Sequence, residues 1–232
     1  MRTLVAGDWH LGTYSRSDAG PLATAFLERA RSDGDLVVLN GDIFEGVFEP
    51  VARAEAAHPN LSTLIARLAR EGRILRTEGN HDPGAGAPEH VLDHPSLGRV
   101  LIAHGHTADP VHGSPGGRLG DGISRRFGHL AIVRGAARAV EIAVAGPASP
   151  GVDRFFRSRC RSIVERRGCA FGVFGHNHRR YLVHGDVYAN AGCLRNGWLE
   201  YLLIDDRGPR LERFGQFTSG ARSDGARPAA VP

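Results

Sequence analysis

Lysine is absent from this chain. All 29 of its basic residues are arginine, which excludes a P-loop lysine, a Schiff-base lysine and a Ser–Lys nucleophile together. Cysteine is scarce. Cys160, Cys169 and Cys193 are odd in number and lack the paired spacing of a thiolate metal site, as expected of structural thiols in a reducing compartment. No run approaches the roughly 20 apolar residues needed to span a bilayer. The first motif begins after only seven residues, which leaves no space for a secretory hydrophobic region and its cleavage site. The expectation is a cytoplasmic protein. With 232 residues, 41% of them hydrophobic, it is long enough for one substantial core.

Charge is unevenly distributed. Between Arg118 and Arg180 stand thirteen arginines against Asp121, Glu141, Asp153 and Glu165, a surplus of +9 in a chain whose formal net charge is +4. Such a polarised field favours an anionic partner. Few aromatics interleave with these arginines, so base stacking and nucleic-acid binding are poorly supported.

What the chain does contain is a series of short polar motifs, each following an apolar run. They are Asp8-Trp9-His10, Gly41-Asp42, Gly79-Asn80-His81-Asp82, His104-Gly105-His106 and Gly175-His176-Asn177-His178. The runs at residues 3–6, 36–39, 73–76, 100–103 and 171–174 read as strands ending at these motifs, with glycine alongside to permit a sharp turn. Helical spacing appears at 21–31, behind Ser17 or Asp18 as caps, and at Leu61, Leu64, Ile65 and Leu68, behind Asn60. This alternation predicts a layered α/β fold with its site at the carboxyl ends of the strands. Later runs at 187–189, 199–205 and 210–214 read as strands without helices between them. The apolar steps over 119–144, then 152–167 after a Gly/Pro-rich break, predict a helical hairpin inserted at about 107–170. The domain is expected to span 1–217, with a disordered tail over 218–232.

Carboxylate, amide and imidazole donors without thiolate suit Mn, Fe, Zn or Co. Two such ions about 3.5–4 Å apart acidify a bridging water and clamp the oxygens of an in-line displacement at phosphorus. The motifs resemble those of the calcineurin-like metallophosphoesterase superfamily over residues 1–205. The resemblance implies a four-layer α/β/β/α sandwich and two divalent metal ions, with Mn²⁺ expected. It implies Asp8, His10 and His178 at one ion, Asn80, His104 and His176 at the other, and Asp42 bridging both. His81 would then protonate the leaving group or stabilise phosphoryl oxygens, with Asp82 orienting it. His106 receives no role.

Within the superfamily, Gly41-Asp42-Ile43-Phe44-Glu45 is most similar to the second motif of the UDP-2,3-diacylglucosamine pyrophosphatase branch. That branch carries arginine where His81 stands and aspartate where His106 stands. The expected partner is therefore a phosphorylated small-molecule or lipid-linked substrate. Arg125, Arg126 and Arg179 are candidates to bind it, and the insertion is a candidate for peripheral membrane contact. A generic nucleotide or nucleic-acid phosphodiesterase and a non-catalytic scaffold are the alternatives.

Overall fold

The structure, a computed structural model, describes residues 2–109 and 150–215. Its elements run β1 (Thr3–Ala6), α1 (Ala19–Asp33), β2 (Leu36–Asn40), α2 (Val51–Ala57), α3 (Pro59–Arg70) and β3 (Ile74–Thr77). Next come β4 (Glu89–His94), β5 (Gly98–Ala103), a 3-10 turn (His106–Ala108), α4 (Pro150–Arg166) and β6 (Phe171–Phe174). The chain closes through β7 (Tyr181–Leu182), β8 (Tyr188–Asn190), β9 (Leu194–Arg195), β10 (Trp198–Asp205) and β11 (Gly208–Gly215).

Side-chain alternation along the strands separates the layers. A strand turns successive residues to opposite faces, and here both faces are apolar. Leu4 and Ala6 join a cluster with Leu22, Phe26 and Leu27 of α1 and Leu61, Leu64, Ile65 and Leu68 of α3. Val5 points the other way, into a cluster with Val38, Val100, Ile102, Phe171, Val173, Leu202 and Ile204. Leu101 and Phe174 face outward from the second sheet and meet Phe156, Cys160 and Val164 of α4. Three apolar interfaces between four layers give the α/β/β/α sandwich.

The first sheet has strand order β11-β10-β1-β2-β3, with β9 paired to β10, and the second β4-β5-β6-β8-β7. Strands β1, β2 and β3 are parallel, as are β5, β6 and β8. Their carboxyl ends therefore gather on one side of the molecule. Strand β10 runs antiparallel to β1, pairing Val5 with Leu202, so its amino end lies beside the end of β1.

Several local expectations change. Asp18 does stand at the N-cap of α1, but its carboxylate takes two hydrogen bonds from Arg16, at 3.0 Å each, and bonds no backbone N–H of the helix. Asn60 lies inside α3, which starts at Pro59. Helix α2 is a short, mostly alanine segment of which only Ala54 is buried, and β4 holds only Val91 and Leu92 as apolar residues, so neither shows in the sequence; β4 pairs with β5 alone, and none of its residues is fully buried. The expected helix over 152–167 is α4, and it forms the fourth layer itself. The expected first half of the hairpin, 119–144, lies outside the described residues, as does the 218–232 tail. Phe156 is only 2% exposed, so Phe156→Ala should cost about 3–5 kcal/mol in urea unfolding. A loss below 1 kcal/mol would contradict this packing of α4.

Candidate metal centre

Six described non-glycine residues have positive φ: Asp8 (54°), His10 (47°), Asp42 (51°), His176 (71°), His178 (56°) and Asn196 (52°). Five of them belong to the motifs at the strand ends. Left-handed backbone at a residue bearing a side chain costs of order 1–3 kcal/mol and persists only where surroundings dictate it. Here the loops are tied to one another. Asp8 N donates to Gly41 O (3.1 Å), Trp9 N and His10 N to Asp42 O (2.9 and 3.0 Å), and Gly175 N to His104 O (3.0 Å). Glycine is required where these loops touch the carboxylates. A Cβ at Gly175 would lie 2.5 Å from Asp8 Oδ2, and one at Gly79 would collide with Asp42 Oδ1.

The result is three groups of donors: His10, Glu45 and His81 form one, and two others adjoin each other. Asp8, His10 and His178 each offer an atom within 4.8 Å of the others, as do Asp42, His104 and His176. His10 Nε2 and His178 Nε2 are 3.0 Å apart, and His178 Nε2 is 3.3 Å from Asp8 Oδ1. In the second set, His104 Nε2 lies 3.1 Å from Asp42 Oδ2 and 3.3 Å from Asn80 Oδ1. His176 Nδ1 lies 3.0 Å from that same Asn80 oxygen. Asp42 adjoins both sets, because its Oδ2 is also 3.9 Å from His10 Nε2.

The proton positions show why these donors suit cations. His104 Nδ1 is 2.9 Å from the carbonyl of Asn40, a pure acceptor, so Nδ1 carries a hydrogen. In the neutral ring, Nε2 then turns a bare lone pair toward the oxygens of Asp42 and Asn80. His176 repeats the pattern in reverse: Nε2 is 3.0 Å from Asp109 Oδ2, which leaves Nδ1 facing Asn80. Convergent lone pairs are stable only around a cation or around added protons. The residues present fit a divalent ion at each set.

Electrostatics gives the same reading. Burial acts most strongly on Asp42 and would raise its pKa, yet the surrounding His104, His81 and His10 hold it well below the ordinary value. Asp8 is lowered in the same way: burial again opposes, and His178 and His104 outweigh it. Burial lowers His104, but Asp42 and Asp8 carry it up to about 9, and Asp8 raises His178 against burial likewise. A cation binding below pH 9 must therefore displace a proton from His104. The apparent affinity for Mn²⁺ should tighten from pH 6 to pH 8, by about tenfold per pH unit for each proton displaced. A pH-independent affinity over that range would contradict the assignment of His104 as a ligand.

His81 and Asp82 take different places. Asp82 is fully buried, and its oxygens accept from the backbone N–H of Asp42 (2.8 Å), Ile43 (2.9 Å) and Gly79 (3.0 Å). It ties the second and third motifs together, and burial followed by the Asp42 charge raises its pKa. The carboxylate on His81 belongs to Glu45 instead, whose oxygens lie 2.9 and 3.0 Å from Nδ1. Glu45 also stands 3.7 Å from His10 Nδ1. Burial pushes the Glu45 carboxyl up, and His81 and His10 more than offset this, leaving it well below the usual range. The position expected of Asp82, against the His81 ring, is held by Glu45.

Two further residues were not singled out in the sequence. Asp109 reaches His176 across 67 positions, and nothing in the local sequence marks it. Asn190 holds the fifth motif, donating to Gly175 O at 2.7 Å and Asn177 Oδ1 at 2.9 Å. The ring of His106 lies 5.6 Å from that of His104. Arg179 is half-buried beside the fifth motif, its backbone N–H donating to Asn177 Oδ1 at 3.1 Å. Arg125 and Arg126 lie outside the described residues.

A family model described as calcineurin-like phosphoesterase matches residues 1–180. Among curated protein sequences nothing matches the chain. Solved structures give low-scoring matches along nearly the whole chain. A predicted phosphoesterase from Streptococcus pneumoniae TIGR4 is 16% identical, covering 92% of this chain and 88% of its own at a TM-score of 0.47. Vps29 of Entamoeba histolytica, complexed with Zn²⁺, is 14% identical over 93% and 99% at 0.45. A dimetal phosphatase from Danio rerio is 11% identical over 93% and 98%, also at 0.45.

Proposed function

The chain belongs to the calcineurin-like phosphoesterase family, and on that premise we propose that it hydrolyses phosphoesters or diphosphates at a two-metal centre. The observation that carries this reading is the pair of adjoining donor sets, with Asp42 a member of one and 3.9 Å from His10 of the other. Asp8, His10 and His178 would hold one ion, and Asn80, His104 and His176 the other. When bound, the ions supply positive charge for the phosphoryl oxygens and the acidity that makes water a nucleophile at neutral pH. Mn²⁺ is the metal proposed, since oxygen and imidazole donors without thiolate suit it.

The protein's own groups do the rest. Asp42 Oδ1 accepts the His81 backbone N–H at 2.7 Å, fixing the third motif to the bridging carboxylate. Glu45 on Nδ1 sets the plane of the His81 ring, which stands edge-on to His10 at 4.4 Å between centroids. Nε2 of His81 is then the atom that would exchange a proton with the leaving oxygen. A scaffold has no need of these features, because the strained loops and buried carboxylates cost stability.

The finer reading is a lipid-linked diphosphate, UDP-2,3-diacylglucosamine, supported by the Gly41–Glu45 motif and the surplus of arginine. Its test is product analysis with Mn²⁺-loaded protein and Asn80→Ala as control. Release of UMP and lipid 1-phosphate by the parent protein alone is expected. Intact substrate beside turnover of a simple phosphodiester would retain the two-metal reading and remove the lipid one. Among the described residues, no helix is long and apolar enough to cross a membrane. Arg154, Phe155 and Arg159 are exposed on α4, and we assign them any peripheral contact with an anionic surface. Co-sedimentation with anionic vesicles tests this, and a charge-neutralised α4 that still sediments would contradict it.

A further inference from the structure

Glu200 lies in β10 and is 1% exposed. It faces the same way as Leu202 and Ile204, into the space between the sheets, at the end of β10 beside the metal centre. A buried carboxylate needs a partner, and Arg213 on β11 is sufficient. It pairs directly with Glu200 across the two strands and donates Nε and Nη2 to Oε1 at 3.1 and 2.9 Å. The other oxygen faces the backbone N–H of Cys193 at 3.4 Å.

Two more arginines nevertheless converge there. Arg180 Nη1 is 3.8 Å and Arg195 Nη2 is 4.0 Å from Glu200. These distances exceed hydrogen bonding, so both guanidiniums sit in the field of Glu200 without spending their donors on it. Arg180 gives one N–H to Leu211 O at 3.4 Å. The Arg195 guanidinium makes no hydrogen bond among the described residues, and its side chain is 53% exposed. Three guanidiniums around one carboxylate leave a local surplus of two positive charges. Structural pairing of Glu200 does not explain that surplus, and mutual repulsion opposes it.

The cluster adjoins the metal centre. Leu194 N donates to Asp8 O at 3.2 Å, Cys193 Sγ lies 3.8 Å from His178 O, and Arg180 is two residues beyond His178. We propose that Arg180, Arg195 and Arg213, gathered by Glu200, form a subsite for a second phosphate of the substrate, beyond the one hydrolysed. Guanidinium forks match tetrahedral oxyanions. The fixed carboxylate holds them in place before the substrate arrives, so less ordering cost falls on binding. The subsite rests on the hydrolase reading and narrows it to substrates with two phosphates, such as nucleoside diphosphate esters.

The test compares kcat/KM for UDP-glucose with that for bis(p-nitrophenyl) phosphate, in parent protein, Arg195→Gln, Arg180→Gln and Arg195→Lys. Thermal melting checks the fold of each variant; these side chains reach solvent, so little change is expected. The ratio of the two specificities should fall about tenfold in each Gln variant, mainly through KM for UDP-glucose. Arg195→Lys should recover part of it. Ratios within twofold of the parent in both Gln variants would overturn the subsite. If the parent cleaves neither substrate, the hydrolase reading fails separately, and calorimetric binding of inorganic pyrophosphate decides the subsite. Tenfold weaker binding in Arg195→Gln would then support it, and equal binding or none would overturn it.

Discussion

Asp42→Asn should lower phosphodiester turnover by about a thousandfold or more, because the shared ligand is worth several kcal/mol and each 1.36 kcal/mol is tenfold in rate. The replacement has nearly the same shape and keeps an oxygen for the His81 N–H, now 2.7 Å from Oδ1. It removes the buried charge that adjoins both donor sets. Metal content, measured on the same sample, should fall below two ions per chain. The thermal transition should remain cooperative, since Asp82 still ties the loops together through Gly79 and Ile43. Turnover within tenfold of the parent, with metal retained, would show that Asp42 does not bridge the ions.

The second large effect is expected at His81, and it depends on the leaving group. His81→Asn removes the imidazole that Glu45 orients, while the residues proposed as ligands stay in place. For an alkyl or sugar leaving group, which departs poorly without a proton, kcat should fall by about 10²–10⁴. For p-nitrophenolate, which leaves readily as an anion, the loss should be much smaller. Metal content should not change. Equal losses with both leaving groups would reassign His81 to holding phosphoryl oxygens. Lost metal would make its role structural.

The sequence made the candidate site legible because each donor motif directly follows a short apolar strand. Asp8, Asp42, His104 and His176 stand within two residues of strands whose bounds lie close to expectation. The apolar faces were equally readable: Leu4 and Val5 are both buried, in different clusters, as strands covered on both sides require. Contacts made by residues distant in sequence were not readable. Asp109 meets His176 only because a 3-10 turn carries it there. Glu45 displaces Asp82 from His81 because the backbone amides of the second and third motifs occupy Asp82 first. Helix α4 looked like part of an insertion because its apolar face gives no sign of which sheet it covers. Phe156, Cys160 and Val164 pack on a face built from Leu101 of β5, Phe174 of β6 and Tyr188 of β8, residues scattered over nearly 90 positions of sequence.

A metal titration most directly separates a two-metal phosphoesterase from a protein that keeps the fold without the reaction. Chelator-stripped protein would be titrated with Mn²⁺ while hydrolysis of bis(p-nitrophenyl) phosphate is followed. Negligible activity is expected in the stripped protein, followed by a rise that saturates at two equivalents per chain. Full activity without metal, or two bound ions with no hydrolysis of this or any diphosphate ester, would contradict the two-metal reading.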